Sequence, residues 1–475
     1  MNLPERERRV LREGRAEHLL RVTRGYGLFL LIVGAWLSSL AGIWFASGLF
    51  IWSAGLIYVL YDTALVSYVA IRTFGLRRVA DEPLPLGPCV SIGVLVAARN
   101  ERVILPDCVR ALQAQTEPPE RIVVIDDGST DDSLARLRAE FPLVDEAGTR
   151  LSHAGSLTVF AKPHSGKARS LNEALRFIDT EVIVTIDADT VLAPDAIAGL
   201  RRAFMRNPQL VAGCGVLQPR CARTMSGRVF EWFQTFEYLR AFIAREAWVR
   251  TQSMLLVSGA FAGFRREAVI KVGGFDPESR VEDYELIHRL HRCSHEQNLG
   301  WQVEVFSEAY AETDAPATLR AFLRQRSRWF GGFLETHSAN RDMIGNGRYG
   351  SVGRIMLPVK SLDTMQPVFG VTAFGLLVYF IAVQPPFLWR ILLTIGIKLV
   401  LDIGFHLWSV FLYHRWIGKR AGPRIWALAI AASLAEPFSF QFLRHCGAVL
   451  GWLSFLRRRN DWVPQLQVEA GPPGP

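Results

Sequence analysis

The sequence predicts an α/β domain with a mostly parallel sheet, inserted between N- and C-terminal transmembrane helices. Apolar residues gather towards the two ends of the 475-residue chain instead of spreading through it. Between them, short runs rich in β-branched residues alternate with amphipathic stretches, the pattern of strands covered by helices. Three of those runs end in polar residues, and ligands of open parallel sheets bind at the carboxyl ends of strands.

From the N-terminus, residues 1–27 form a basic segment carrying Arg6, Arg8, Arg9, Arg12, Arg15, Arg21 and Arg24. Residues 28–45 and 49–71 each suffice to cross a hydrocarbon core, which takes about 20 residues of helix. Only Ala46, Ser47 and Gly48 separate them, so 28–71 reads as a hairpin that returns the chain to its starting side. The arginines before it predict a cytosolic N-terminus. A cleavable signal peptide is rejected, because the first apolar run is long, starts late and is followed at once by a second.

A linker, 72–89, with Pro83, Pro85 and Pro88 leads into the α/β domain, 90–318. The runs 90–96, 122–125 and 182–186 are continuously apolar, as parallel strands buried on both faces are. They end at Arg99-Asn100-Glu101, Asp126-Asp127 and Asp187-Ala188-Asp189, three strand ends expected to line one crevice. Interfacial helices are expected over 319–366. The C-terminal membrane region, 367–456, starts with a second hairpin, 368–383 and 387–412, broken at Pro385-Pro386. Arg415, Lys419, Arg420 and Arg424 put the next loop in the cytosol. The last apolar stretch, 425–456, is interrupted by Pro437 and Arg444. It reads as a broken or re-entrant pair, since a single span would carry Arg457, Arg458 and Arg459 of the tail, 457–475, to the outside.

This topology explains the formal net charge of +9 better than nucleic-acid binding does, and none is expected. The six cysteines form no CxxC pair and have no histidines at zinc-finger spacing, so they read as reduced, ordinary residues.

Asp187 and Asp189, one residue apart after a buried strand, suit a hard cation that bridges nucleotide phosphates. A solvated turn explains an isolated Asp-x-Asp equally well. Asp126-Asp127-Gly128-Ser129 offers a carboxylate for the base or ribose of a nucleotide, and equally a turn and helix cap with Asp131 and Asp132 in the first helical turn. Ser165-Gly166-Lys167 fails as a phosphate loop, which needs glycine in place of Ala161 and Ser or Thr in place of Ala168. Lys167 at a helix start still suits a diphosphate. In the span 387–412, Lys398, Asp402 and His406 share one helix face. They read either as a packing pair or as part of a polar path.

In order, Ala98-Arg99-Asn100-Glu101, Asp126-Asp127-Gly128-Ser129, Lys167 with Leu171-Asn172, Asp187-Ala188-Asp189, Ser258-Gly259-Ala260, Gly273-Gly274-Phe275-Asp276, Glu282-Asp283 and Gln325-Arg326-Ser327-Arg328-Trp329 make the chain resemble the family 2 inverting glycosyltransferases. The likeness, over about 90–329, is to the membrane-embedded poly-N-acetylglucosamine, hyaluronan, chitin-oligosaccharide and cellulose synthases. It implies a GT-A-type nucleotide-sugar-binding domain. It implies that Ala98, Asn100, Glu101, Asp126, Asp127, Lys167, Asp187, Asp189, Gln325, Arg328 and Trp329 serve the donor, and that Asp187 and Asp189 hold Mg²⁺ or Mn²⁺. Asp283 becomes the base that takes the acceptor proton, with Gly259, Ala260, Glu282 and Trp329 on the acceptor side. Val281 stands where several relatives have threonine and Arg169 where glycine is frequent, departures that touch the subfamily rather than the chemistry.

The expected function is transfer from a nucleotide sugar, UDP-GlcNAc or UDP-glucose, to a growing β-linked polysaccharide, with export open. Expected partners are the donor, a glycan or lipid-linked acceptor and the lipid bilayer; protein partners stay open. Single-sugar transfer to a lipid is the enzyme alternative. A transporter or scaffold with an inactive sugar-nucleotide domain is the alternative of another class.

Overall fold

The structure, a computed structural model, describes residues 15–76 and 89–457. The expected basic positions Arg6 to Arg12, the linker prolines Pro83, Pro85 and Pro88, and Arg458 and Arg459 lie outside the described residues.

Among the described residues, ten strands form one mixed, largely parallel sheet in the order β3-β4-β5-β2-β1-β6-β9-β8-β10-β7. They are β1 (Ile92–Ala98), β2 (Arg121–Asp127), β3 (Val144–Asp145), β4 (Leu151–Ala154), β5 (Leu157–Lys162), β6 (Val182–Asp187), β7 (Thr190–Leu192), β8 (Leu210–Arg220), β9 (Phe261–Arg265) and β10 (Gln302–Asp314). β5, β2, β1 and β6 run parallel. Their apolar residues are buried because helices cover both faces, for example Val94, Val124 and Val184. The register sets Ala98 opposite Asp126, Ala97 opposite Asp187 and Asp127 opposite Lys162. Three polar strand ends therefore emerge on one level. At the second strand end, helix Ser133–Glu140 begins after Asp131 and Asp132, not with them: Asp132 is the N-cap residue, and the Asp131 carboxylate accepts the Ser133 amide at 3.0 Å.

Among the described residues, four helical stretches are long and apolar enough to cross a membrane: Gly27–Phe45, Gly48–Thr73, Val352–Val383 and Leu388–Trp416. Their outward side chains, such as Leu31, Leu60, Val400 and Val383, are exposed, as lipid-facing residues are. The stretch expected as interfacial helices holds one helix, Leu319–Ala339, then short turns, then the start of helix Leu357–Val383.

The last apolar stretch is a bent pair, Pro423–Phe438 and Phe440–Leu456, with a 48° break. Both arms meet the α/β domain. The Trp232 indole donates to the Leu428 carbonyl at 3.1 Å, and Arg280 donates to the Ser454 hydroxyl at 2.7 Å. Helix Phe440–Leu456 lies along helix Leu319–Ala339, where Gly447 and Gly451 admit Arg326 and Phe330: a Cβ on either would come within 2.6 to 2.8 Å of them.

Candidate active site

The three strand ends open into a cavity of about 1540 Å³ between the sheet and the apolar helices. Every site residue expected from the sequence lines it except Asp126, which lies behind the wall. Asp126 is buried and its Oδ1 meets no polar partner; burial raises its pKa above the usual carboxylate range.

At the β1 end, Asn100 takes a left-handed backbone conformation, φ 59°, and its Oδ1 accepts the Thr130 amide at 2.7 Å. The Glu101 amide donates to Ser133 Oγ at 3.0 Å. These contacts tie the β1 and β2 ends together. Asp127 accepts from His164 Nδ1 at 2.7 Å and from the Ser165 and Gly166 amides at 2.8 and 2.9 Å. Burial works against its charged form, yet those two amides together with the His164 and Ser170 side chains outweigh it and hold the carboxyl below its ordinary range. Gly128 makes this approach possible: φ is +71°, and a Cβ would stand 2.6 Å from the His164 nitrogen. Asp127 thus anchors the loop that delivers Lys167, the first residue of helix Lys167–Ala174.

Asp187, the last residue of β6, and Asp189 just beyond it share an electrostatic neighbourhood with Glu101 and with Asp314, the last residue of β10. Burial and then Asp187 and Asp314 push Asp189 up to about 7. Burial, followed by Asp189, Asp314 and Asp187, pushes Glu101 up to about 9. Arg220 offsets part of this field by pairing with Asp314 at 2.9 Å. Mutually repelling oxygen ligands partly out of water are the donor set of a hard divalent cation, so Asp187 and Asp189 fit one. Among the described residues no group of three His, Cys, Asp or Glu makes a complete ligand set. Sequence reasoning missed Arg220 and Asp314, whose only signal was their place at the ends of strands.

Asp283 lies in the first turn of helix Glu282–Gln297. Its Oδ2 accepts the Gly259 amide at 2.6 Å and its Oδ1 accepts its neighbour's amide, that of Tyr284, at 2.8 Å. Burial and then the adjacent Glu282 charge push it up to about 6, against a lowering by Lys167. The Ala260 carbonyl accepts the Asp187 amide at 3.2 Å, so Gly259-Ala260 links the end of β6 to Asp283. Lys167 Nζ stands 2.5 Å from Asp187 Oδ1 and 3.0 Å from Glu282 Oε1.

On helix Leu319–Ala339, Gln325 is buried with Oε1 unpartnered. Arg328 donates to the Arg280 carbonyl at 3.2 Å, and the Arg326 guanidinium lies 4.7 Å from the Trp329 ring centre. Deeper, the same cavity is lined by Asp62, Lys398, Asp402, His406 and Glu436. Lys398 pairs with both Asp402 and Asp62, the latter at 2.7 Å. His406 meets Arg240 and Ser433, and Arg240 pairs with Glu436 at 2.5 Å.

Residues 182–436 match the glycosyl transferase family group 2. The chain is similar to the poly-beta-1,6-N-acetyl-D-glucosamine synthase of Staphylococcus epidermidis, 28% identical over 245 residues, which are 51% of this chain and 54% of that protein. The synthase of Staphylococcus aureus (strain COL) is 25% identical over 247 residues, with the same shares. The chain spans about half the length of the curated relatives it matches. Among solved structures it is similar to the mannosyltransferase PcManGT from Pyrobaculum calidifontis in complex with GDP-Man and Mn²⁺, with a TM-score of 0.52 and 19% identity, covering 82% of this chain and 99% of that one. That likeness establishes the fold, a GT-A-like α/β domain flanked by apolar helices.

Proposed function

We propose, on the premise that this chain belongs to the glycosyl transferase family group 2, that it moves a sugar from a nucleotide donor to a growing β-linked polysaccharide, with inversion at the anomeric carbon. The observation that carries this reading is the shared wall on which Asp283, Asp187 and Asp189 meet Gln325, Arg328 and Trp329. An acceptor hydroxyl attacks the anomeric carbon, its proton passes to the Asp283 carboxylate, and the bond to the diphosphate oxygen breaks, that oxygen leaving with the electron pair. Asp187 and Asp189 would hold a divalent cation, which when bound would supply charge stabilisation for the departing diphosphate. Mn²⁺ or Mg²⁺ fits the oxygen-only donor set, and Lys167 and Arg328 add positive charge around the leaving group. Trp329 offers a flat apolar face for an acceptor sugar.

Likeness to poly-N-acetylglucosamine synthases supports UDP-GlcNAc as donor, with UDP-glucose next. The continuation of the cavity to Asp62, Lys398 and Asp402 supports passage of a hydrophilic product among the apolar helices. A cytosolic catalytic domain is supported by the loop after Leu388–Trp416: Lys419 lies 4.3 Å from the Tyr310 ring centre on β10, so this basic loop shares the domain's side.

The test is turnover by purified protein in lipid nanodiscs with labelled UDP-GlcNAc, UDP-glucose and GDP-mannose, followed by product sizing. A polymer from a UDP-sugar is expected. Exclusively short lipid-linked product would sink the polymer reading in favour of single-sugar transfer, and no turnover of any donor would favour an inactive scaffold.

A further inference from the structure

Lys167 links two halves of the site that the chemistry keeps separate. Its ammonium contacts Asp187, assigned above to the cation, at 2.5 Å, and Glu282, the neighbour of the base, at 3.0 Å. A divalent ion on Asp187 and this ammonium draw on the same carboxylate, and like charges so close repel strongly in a partly buried site. A diphosphate resolves the conflict. Its oxygens bind the cation and accept from the ammonium at once.

We propose that Lys167 is a shared cation that pairs with Asp187 and Glu282 until a divalent ion and a nucleoside diphosphate arrive together, then transfers to the diphosphate and releases Glu282 beside Asp283. The inference rests on the donor-site reading above and adds an order to it. Metal alone is a poor ligand, metal and nucleotide enter as a pair, and the acceptor side gains a free carboxylate only once the donor is in place. Lys167 is a positioning residue in this step, since the proton still goes to Asp283.

The experiment measures Mn²⁺ binding by electron paramagnetic resonance, on the full chain in nanodiscs, with and without UDP. Lys167→Met is expected to bind Mn²⁺ alone about tenfold or more tightly than the wild type and, at saturating Mn²⁺, to bind UDP about tenfold or more weakly. Lys167→Arg should return both values towards wild type. A merely structural lysine would weaken both affinities on removal. If Lys167→Met fails to fold, Lys167→Gln carries the same pair of opposed expectations. Unchanged or weaker binding of Mn²⁺ alone in a folded variant overturns the handover. A wild type that still turns over a nucleotide sugar in that case keeps the proposed function standing, whereas a wild type inactive on every donor fails that function by itself.

Discussion

The Asp283 carboxylate accepts the backbone amide of Gly259 at 2.6 Å, and a Cβ on that glycine would stand 3.0 Å from the same oxygen. The proposed base is therefore aimed by a main-chain donor beside which a side chain fits only if the carboxylate gives way. Gly259→Ala should displace the carboxylate by a few tenths of an ångström and lower kcat by about tenfold to a hundredfold. UDP binding should stay within about twofold, because the nucleotide contacts lie elsewhere. Asp283→Asn should cost about 10²-fold to 10⁴-fold. Single-turnover rates alongside UDP titration check both, and a fully active Asp283→Asn would remove the base assignment.

Asp283 is held up at about 6, by burial first and the Glu282 charge second. A base works deprotonated, so kcat/KM should fall as pH drops through about 6 and level off above it. Glu282→Gln removes a negative neighbour and should move the midpoint down, while Lys167→Met removes a positive one and should move it up. A pH–rate profile of the three proteins tests the signs, and a flat profile across that range contradicts the assignment.

Asp187 and Asp189 carry no complete ligand set by themselves, so turnover should vanish on chelation and return with Mn²⁺ or Mg²⁺. Asp187→Asn and Asp189→Asn should each lose the metal-dependent part of UDP binding, by about tenfold or more. Calorimetry with and without metal distinguishes this from a loss of fold.

Glu237 is buried between Arg326 at 2.6 Å and Arg444 at 3.1 Å, joining helices Met225–Val249, Leu319–Ala339 and Phe440–Leu456. Glu237→Gln leaves two cations short of their shared carboxylate and should destabilise the protein by about 3 kcal/mol. Thermal unfolding in detergent measures it. Trp329 should loosen with it, since Arg326 also covers that ring.

Lys398 retains Asp62 when Asp402 is replaced, so Asp402→Asn should fold. If the deep part of the cavity carries product, this variant should slow release across proteoliposomes while leaving nucleotide-sugar turnover at the active site near wild type. Unchanged export would leave Lys398 and Asp402 as a packing pair.

Much of this was legible in the sequence because it is local. Continuous β-branched runs mark buried strands wherever they fall, and a polar residue directly after such a run must sit at the strand's end. That is why Asp187, Asp189 and Glu101 could be placed on one rim. The apolar spans and the break at Pro437 follow from composition alone. What sequence could not supply are partnerships between distant positions. Asp127 reads from sequence as a nucleotide ligand, and nothing local shows that folding also brings the His164 to Gly166 loop onto its oxygens. Asp62 of the N-terminal hairpin joins Lys398 of the C-terminal one, and Asp314 joins the acidic rim from the far end of β10. Lys167 reaches both Asp187 and Glu282. Periodicity records which face a residue presents, while the partner on that face is chosen by packing. The acidic strand ends were therefore fixed by the chain's local chemistry, and the division of charge among them was decided only when the sheet and helices closed around one cavity.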